Sequence, residues 1–348
     1  MRRFSNEERR ARLGTRHHLA APALDVVTAA GDLVGLHSSD PVTVYLSARA
    51  RVSDFTPGDL ENALYEQRSL VRALGMRRTM FVVPREMVPL LDIACARTYV
   101  TAERRRLENL LRDQGIAADP AAWLDDLLDR TLAAIEARGQ ATAKELVEDV
   151  PQLAERFTFG EGKSWGGTVG VSTRVLFFLA TGGRIVRARP LGSWVSSQYR
   201  WAPFADWLGA PLPEIGPEQA RVELVRRWLA AYGPGTLTDI KWWSGWTMGQ
   251  TRKALDAVEA VEAELDGGIG FVLPDDLDEH EPPDDWVALL PSLDPAVMGW
   301  KERSWLLGEH GPQLFDRNGN AGPTVWWNGR VGGGWTQPSD GEIEYELW

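Results

Sequence analysis

Over most of the first 260 positions apolar residues recur three and four apart, the spacing of buried helix faces, and this pattern repeatedly gives way to short β-rich runs. Ser5 and Glu8 have capping-box spacing and predict a helix start. Thr56, Pro57 and the acids Asp59 and Glu61 predict another: a cap, a proline in the first turn and negative charge at the helix N-terminus. In DLENALYEQRSLVRALGM, Leu60, Leu64, Leu70, Val71 and Leu74 share one face, so the helix is predicted to run on into RRTMFVVP, a short strand closed by Pro84. Helix, helix and a strand carrying bases is the order of a winged helix.

An internal repeat extends this reading. ARGQATAKEL (137–146) and AYGPGTLTDI (231–240) align with Ala first, Gly third, Thr sixth, an acid ninth and an aliphatic residue tenth. Each follows an amphipathic helix; the glycine is expected to end that helix in the left-handed conformation, and the threonine to cap the next. The first copy continues into VSTRVLFFLATGG, a predicted helix, and GRIVRARPLGSWVSSQYRW, a predicted basic hairpin. The second continues into a predicted helix, MGQTRKALDAVEAVEAEL, then the strand-like GGIGFVLP. The expected fold is mainly α with β-wings (α+β). It has three tandem winged-helix units at 1–112, 113–206 and 207–280, then a small β-rich, barrel-like domain at 281–348 whose short runs are broken by Gly, Pro and Asn-Gly turns. The chain stops at EIEYELW, inside a strand-like run, which reads as an incomplete β-rich domain.

Composition narrows the function. The net charge of −11 argues against a nucleic-acid partner, but its distribution argues for one. Residues 1–110 hold 17 Lys/Arg against 13 Asp/Glu, a net of +4, leaving −15 for the remainder. Within that acidic remainder, residues 162–205 carry Lys163, Arg174, Arg184, Arg187, Arg189 and Arg200 and no acid. A local basic field of this kind suits phosphate contact. The lone Cys95 excludes an internal disulfide framework and fits a reducing cytoplasm; with five scattered histidines it makes a structural zinc site improbable. No apolar run reaches the ~20 residues of a membrane span, and the N-terminus mixes acids with bases, unlike a secretory signal. The expected setting is cytoplasmic, without membrane, metal or cofactor.

Four motifs in order, LVGLHSSDP, LVRALGMRRTMFVVP, LLPSLDPAVMGWKERSW and FDRNGNAGPTVWWNGRV, resemble the bacterial winged-helix DNA glycosylases of the AlkZ/YcaQ kind. The resemblance covers nearly the whole chain. It implies a partner in damaged duplex DNA and release of alkylated purines, with unhooking of interstrand crosslinks. It also places the catalytic turn at GLHSSDP, where active relatives read Gln-x-Gln or Gln-x-Asp. Here His37 falls on the first Gln and Ser39 on the second, so both catalytic amides are replaced. Arg77 and Thr79 match the family, whereas Phe81 stands where many relatives have His.

A monofunctional glycosylase must hold a water against the sugar and stabilise a cationic transition state. His37, with an ordinary pKa near ~6.5, is the candidate for positioning that water; Ser39 can bind it, and Asp40 can steady the ring or face the developing cation. Ordinary turn chemistry, with Asp40 or Ser39 capping the next helix, accounts for the same residues. Candidate phosphate contacts are Arg49 and Arg51 beyond the turn, Arg77 and Arg78 before the first wing, and Arg184, Arg187 and Arg189 in the second. His17 and His18 follow a basic helix and read as surface groups or phosphate contacts, and most of the sixteen tryptophans as core. Two alternatives stand beside a monomeric glycosylase: a DNA-binding protein that has lost catalysis, and a protein-interaction scaffold.

Overall fold

The structure is a computed structural model that describes residues 1–163 and 166–348. It is mixed, helix-rich and built on small sheets. In its first part, helix Val26–Asp32 leads to a two-residue strand, Leu36–His37, then to helices Pro41–Arg49 and Pro57–Glu61. The second of these continues through a wider π turn, Asn62–Glu66. A hairpin follows, Leu70–Leu74 with Met80–Pro84, and the latter strand lies between its partner and Leu36–His37.

The same connectivity recurs twice. Helix Pro120–Arg138, strand Ala141–Thr142, helices Ala143–Asp149 and Val171–Ala180, and hairpin Ile185–Pro190/Tyr199–Pro203 form the second copy, which also carries an inserted hairpin, Arg156–Phe159/Gly167–Gly170. Helices Pro217–Tyr232, Leu237–Ser244 and Met248–Ala257 precede hairpin Val261–Leu265/Gly268–Val272 in the third, where a bridge from Gly235 to Phe271 stands in for the short strand. Strand Arg3–Phe4 adds to this third sheet in parallel, with Arg3 opposite Glu264, so the N-terminus is tied to a segment 261 residues away.

Local chemistry explains most starts and stops. The Ser5, Thr142 and Thr236 hydroxyls accept the amide hydrogens of Glu8, Glu145 and Asp239, and Thr56 and Asp59 close a capping box. Gly139 ends its helix at φ 70°, in the left-handed region. Gly233 instead is extended, at φ −70° and ψ 154°. The following Pro234 forces that conformation, and glycine is needed because a Cβ would approach the Leu229 carbonyl oxygen to 2.4 Å.

Two predicted helices end early. Leu70–Leu74 is a strand, since Arg68 turns left-handed at φ 55° and breaks the helix before it. Residues four apart share a face of a strand as they do of a helix, so the leucine spacing could not distinguish the two. Val261–Leu265 is likewise a strand, entered after Glu259 at φ 56°, with Ala263 and Leu265 buried and Glu262 and Glu264 exposed. That alternation was readable as period two.

The C-terminal strands Val287–Leu290, Thr324–Trp327, Arg330–Thr336 and Glu344–Leu347 pair in sequence order as an open four-stranded antiparallel sheet, not a barrel. Asn328 and Gly329, both at positive φ, make the tight turn between its middle strands.

The second copy has its own core, from Leu107 to Ile185. The first copy, the third and the C-terminal sheet share one larger core. Its centre is aromatic: Trp228, Tyr232, Trp243 and Trp300 pack ring to ring. His17 is sealed inside, edge-on to Tyr232 and stacked on Trp300, with Nε2 against the Ala231 carbonyl. It neither faces solvent nor can reach a phosphate, because the third copy's first helix covers it. His18 stays near the surface beside Asp32, 2.8 Å away. No described helix is long and apolar enough to cross a membrane.

Candidate functional site

The turn at 35–41 is set by two left-handed residues. Val34 has φ 55° and Gly35 φ 113°, which reverses the chain out of helix Val26–Asp32 into strand Leu36–His37. A Cβ on Gly35 would lie 2.9 Å from Val83 Cγ1, so glycine is required both by conformation and by space. Gly35→Ala is expected to cost about 1–3 kcal/mol, read as a lower urea midpoint, and to move His37 out of register.

In that register His37 sits opposite Phe81, with the rings edge to face at 5.4 Å. The His37 side chain is 5% exposed. It lines a recess of about 10 Å3 with Leu33, Met76, Arg77, Tyr232 and Trp243, room for one water at most. Its Nδ1 is buried without a partner among the described residues. Burial, and then the neighbouring Arg77 charge, push its pKa down to about 4, against weaker opposition from Asp294 and Asp40. The ring is therefore neutral at pH 7, an acceptor for a hydrogen bond and a weak base; the ordinary value expected from sequence does not apply.

Ser39 and Asp40 point elsewhere. Ser39 Oγ accepts the Met80 amide hydrogen at 3.3 Å and lies at the edge of a large cleft. Asp40 Oδ1 accepts from the Val42 amide at 2.8 Å and caps helix Pro41–Arg49. The three residues are neighbours in sequence but do not converge on one point: His37 faces the core and Ser39 the cleft. Between them, Ser38 is buried, its Oγ accepting from Arg72 Nη1.

The cleft, of about 900 Å3, opens between the first hairpin and the second copy. Arg72, Arg78, Lys144, Arg174 and Arg187 border it, as does one carboxylate, Asp92, which is paired with Arg97. Tyr199, Trp201, Phe177 and Leu176 form apolar walls. Cations over aromatic surface suit a polyanion with planar bases.

Of the arginines expected to meet phosphate, Arg78 and Arg187 border this cleft. Arg78 also pairs with Glu103 at 2.5 Å. Arg51 is 1% exposed and bound on two nitrogens by Asp294, so it is structural and unreachable for DNA. Arg189 is held by Glu61 and Glu66 from the first copy, which neutralise it. Arg77 lies flat on Trp242, 3.8 Å from the ring centre, beside the His37 recess. Arg49 is exposed and donates to the Phe55 carbonyl. Arg184 lines a separate depression with Asp125 and Asp129.

Sequence reasoning missed Arg72, Lys144, Tyr199 and Trp201 as lining groups. Arg72 was hidden in a stretch read as helix. Tyr199 and Trp201 lie in the acid-free basic run that also holds Arg174, a signal that could have found them.

The comparisons with known proteins follow the same lines. The sequence model of the family described as "DNA glycosylase AlkZ-like" matches residues 30–347. No curated protein matches the chain. Among solved structures, the DNA glycosylase AlkZ of Streptomyces sahachiroi is similar in fold with a TM-score of 0.77, at 19% identity, over 99% of this chain and 91% of that one. The turn, the hairpin beside it and the C-terminal sheet thus stand in one shared architecture, and the chain belongs to the AlkZ-like DNA glycosylase family.

Proposed function

We propose that this protein hydrolyses the N-glycosidic bond of alkylated purines in duplex DNA. The observation that carries the reading is the cation-lined cleft, whose rim includes Ser39 of the turn where the family resemblance places catalysis. The backbone of a DNA strand would follow the cations while its bases meet Tyr199 and Trp201. An N7- or N3-alkylated purine is already a cationic leaving group, so the protein has only to place water and stabilise the sugar cation. Neutral His37, which lines a one-water recess and whose Nδ1 has no partner among the described residues, is suited to accept a hydrogen bond from that water.

The second reading is a DNA-binding protein without catalysis. It is favoured by one observation: the His37 ring faces the core, while Ser39 and Asp40 already serve the turn and the helix cap. Incubation with a duplex containing N7-methylguanine separates the two. Wild type is expected to release the base above the spontaneous rate, and His37→Ala to do so at least about 100-fold more slowly. Duplex binding without release would establish the second reading; equal release by both proteins would remove His37 from the mechanism.

A further inference from the structure

Two arginines bordering the cleft lack the carboxylate partner that several other arginines of this chain have; buried Arg9, set over Trp305, also lacks one but lies away from the cleft. Arg51 meets Asp294, Arg12 meets Glu8 and Asp276, and Arg16 meets Asp276. Arg72 is 4% exposed, yet among the described residues no carboxylate lies within salt-bridge distance of it, and its Nε has no partner. The Arg187 side chain, from the second hairpin, makes no hydrogen bond or ion pair with any described residue. Burial weakens its hold on its proton, against the neighbouring Tyr199, and the Arg72 charge weakens it further.

Both guanidinium groups address the same ring: Arg72 is 5.4 Å and Arg187 5.0 Å from the centre of Tyr199, and Arg187 is also 5.3 Å from that of Trp201. Ring faces recover only part of what a guanidinium loses on leaving water. Two like charges gathered on one ring, without an acid, lack a counter-ion. Both border the open cleft, where one can enter.

We propose that Arg72 and Arg187 form a receptor for one oxyanion, a phosphodiester group of the DNA strand, seated over Tyr199. The identification of the anion with DNA rests on the function proposed above; the receptor itself rests on the arginines. Arg72 also donates to Ser38 Oγ, so the bound phosphate is linked through one side chain to the turn 37–40. The receptor thereby sets the strand's register relative to that turn, which a contact to phosphate does without reading sequence. Planar guanidinium forks suit the two free oxygens of a phosphodiester, and lysine would not reproduce them.

The test uses the full-length protein and the variants Arg187→Gln and Arg72→Gln, with Arg187→Lys as the charge-conserving variant. In chloride buffer, Arg187→Gln is expected to melt at or above the wild-type temperature, because it removes an uncompensated, half-buried charge; a melting point well below wild type would mark a structural arginine and overturn the receptor. Inorganic phosphate at constant ionic strength is expected to raise the melting point of wild type and not of either glutamine variant; equal responses in all three would also overturn it. Binding to an undamaged duplex supplies the other arm. Each glutamine variant is expected to lower the dependence of log affinity on log salt by roughly 0.9, one phosphate's worth, with Arg187→Lys retaining that dependence at weaker affinity. A phosphate response without duplex binding would keep the receptor and sink the DNA reading. Duplex binding with affinity and salt dependence unchanged in both glutamine variants would sink the receptor alone.

Discussion

Replacing Asp294 with alanine is expected to lower the unfolding free energy by about 3–5 kcal/mol, the range for breaking a buried ion pair from one side. Asp294 is fully buried and accepts from Arg51 Nη1 at 2.9 Å, Arg51 Nη2 at 2.7 Å, Ser47 Oγ at 2.6 Å and the Ala296 amide at 2.9 Å. Burial alone would raise its pKa; the Arg51 charge and these donors outweigh it and hold the carboxyl below its ordinary value. Arg51 in turn donates to the carbonyls of His17 and Ser47. One carboxylate thus ties His17 at the end of helix Asn6–Arg16, helix Pro41–Arg49 behind the turn, and the C-terminal segment. Alanine leaves the guanidinium buried with its charge uncompensated; asparagine fills the space and keeps one acceptor oxygen but turns its amide NH2 onto donors that the second oxygen met, so it is expected to recover only part of the loss. The double variant Arg51→Met with Asp294→Leu is expected to recover much of the loss, since both charges go together. Urea unfolding measures all three; a loss under about 1 kcal/mol for Asp294→Ala, the worth of an exposed pair, would contradict this account.

The fold is expected to weaken on acidification from pH 7 to pH 5. Burial, chiefly, pushes the pKa of His17 down to about 3 and that of His37 to about 4, so both rings stay neutral in the folded state at pH 5. In the unfolded chain each takes up a proton below about 6.5. The unfolded state then binds more protons, and stability rises with pH through this window and levels off above it. At pH 5 each ring contributes about 2 kcal/mol of loss, near 4 kcal/mol for the pair. Replacing His37 with glutamine, which does not titrate, is expected to remove about half of the fall. A urea midpoint unchanged between pH 7 and 5 would show that the rings are not sealed as described. The same displacement puts any acid limb of base release that depends on neutral His37 near pH 4, not 6.5.

How far the sequence could be read depended on the range of the interaction. The capping residues Ser5, Thr56, Thr142 and Thr236 were legible because a cap needs only the three or four residues after it. The Asn328-Gly329 turn was legible for the same reason. Leu70–Leu74 was misread because strand pairing, not the leucine spacing, decided it, whereas Val261–Leu265 carried a period-two alternation that the reading as helix passed over. The site divided likewise. The turn could be located from its residues and the family resemblance, but not the side to which each residue points.

By itself the sequence determined where the capped helices begin, the repeated order of helices and hairpins, and the replacement of both family amides at His37 and Ser39. The tertiary structure decided which charges are available. It neutralised Arg51 with a carboxylate 243 residues away and Arg189 with two from another part of the chain, and brought Arg72 and Arg187 to one ring without any. The reason is physical: a guanidinium carries the same charge wherever it stands in the sequence, but its availability to phosphate depends on solvent and on the nearest acid, which only the folded chain supplies.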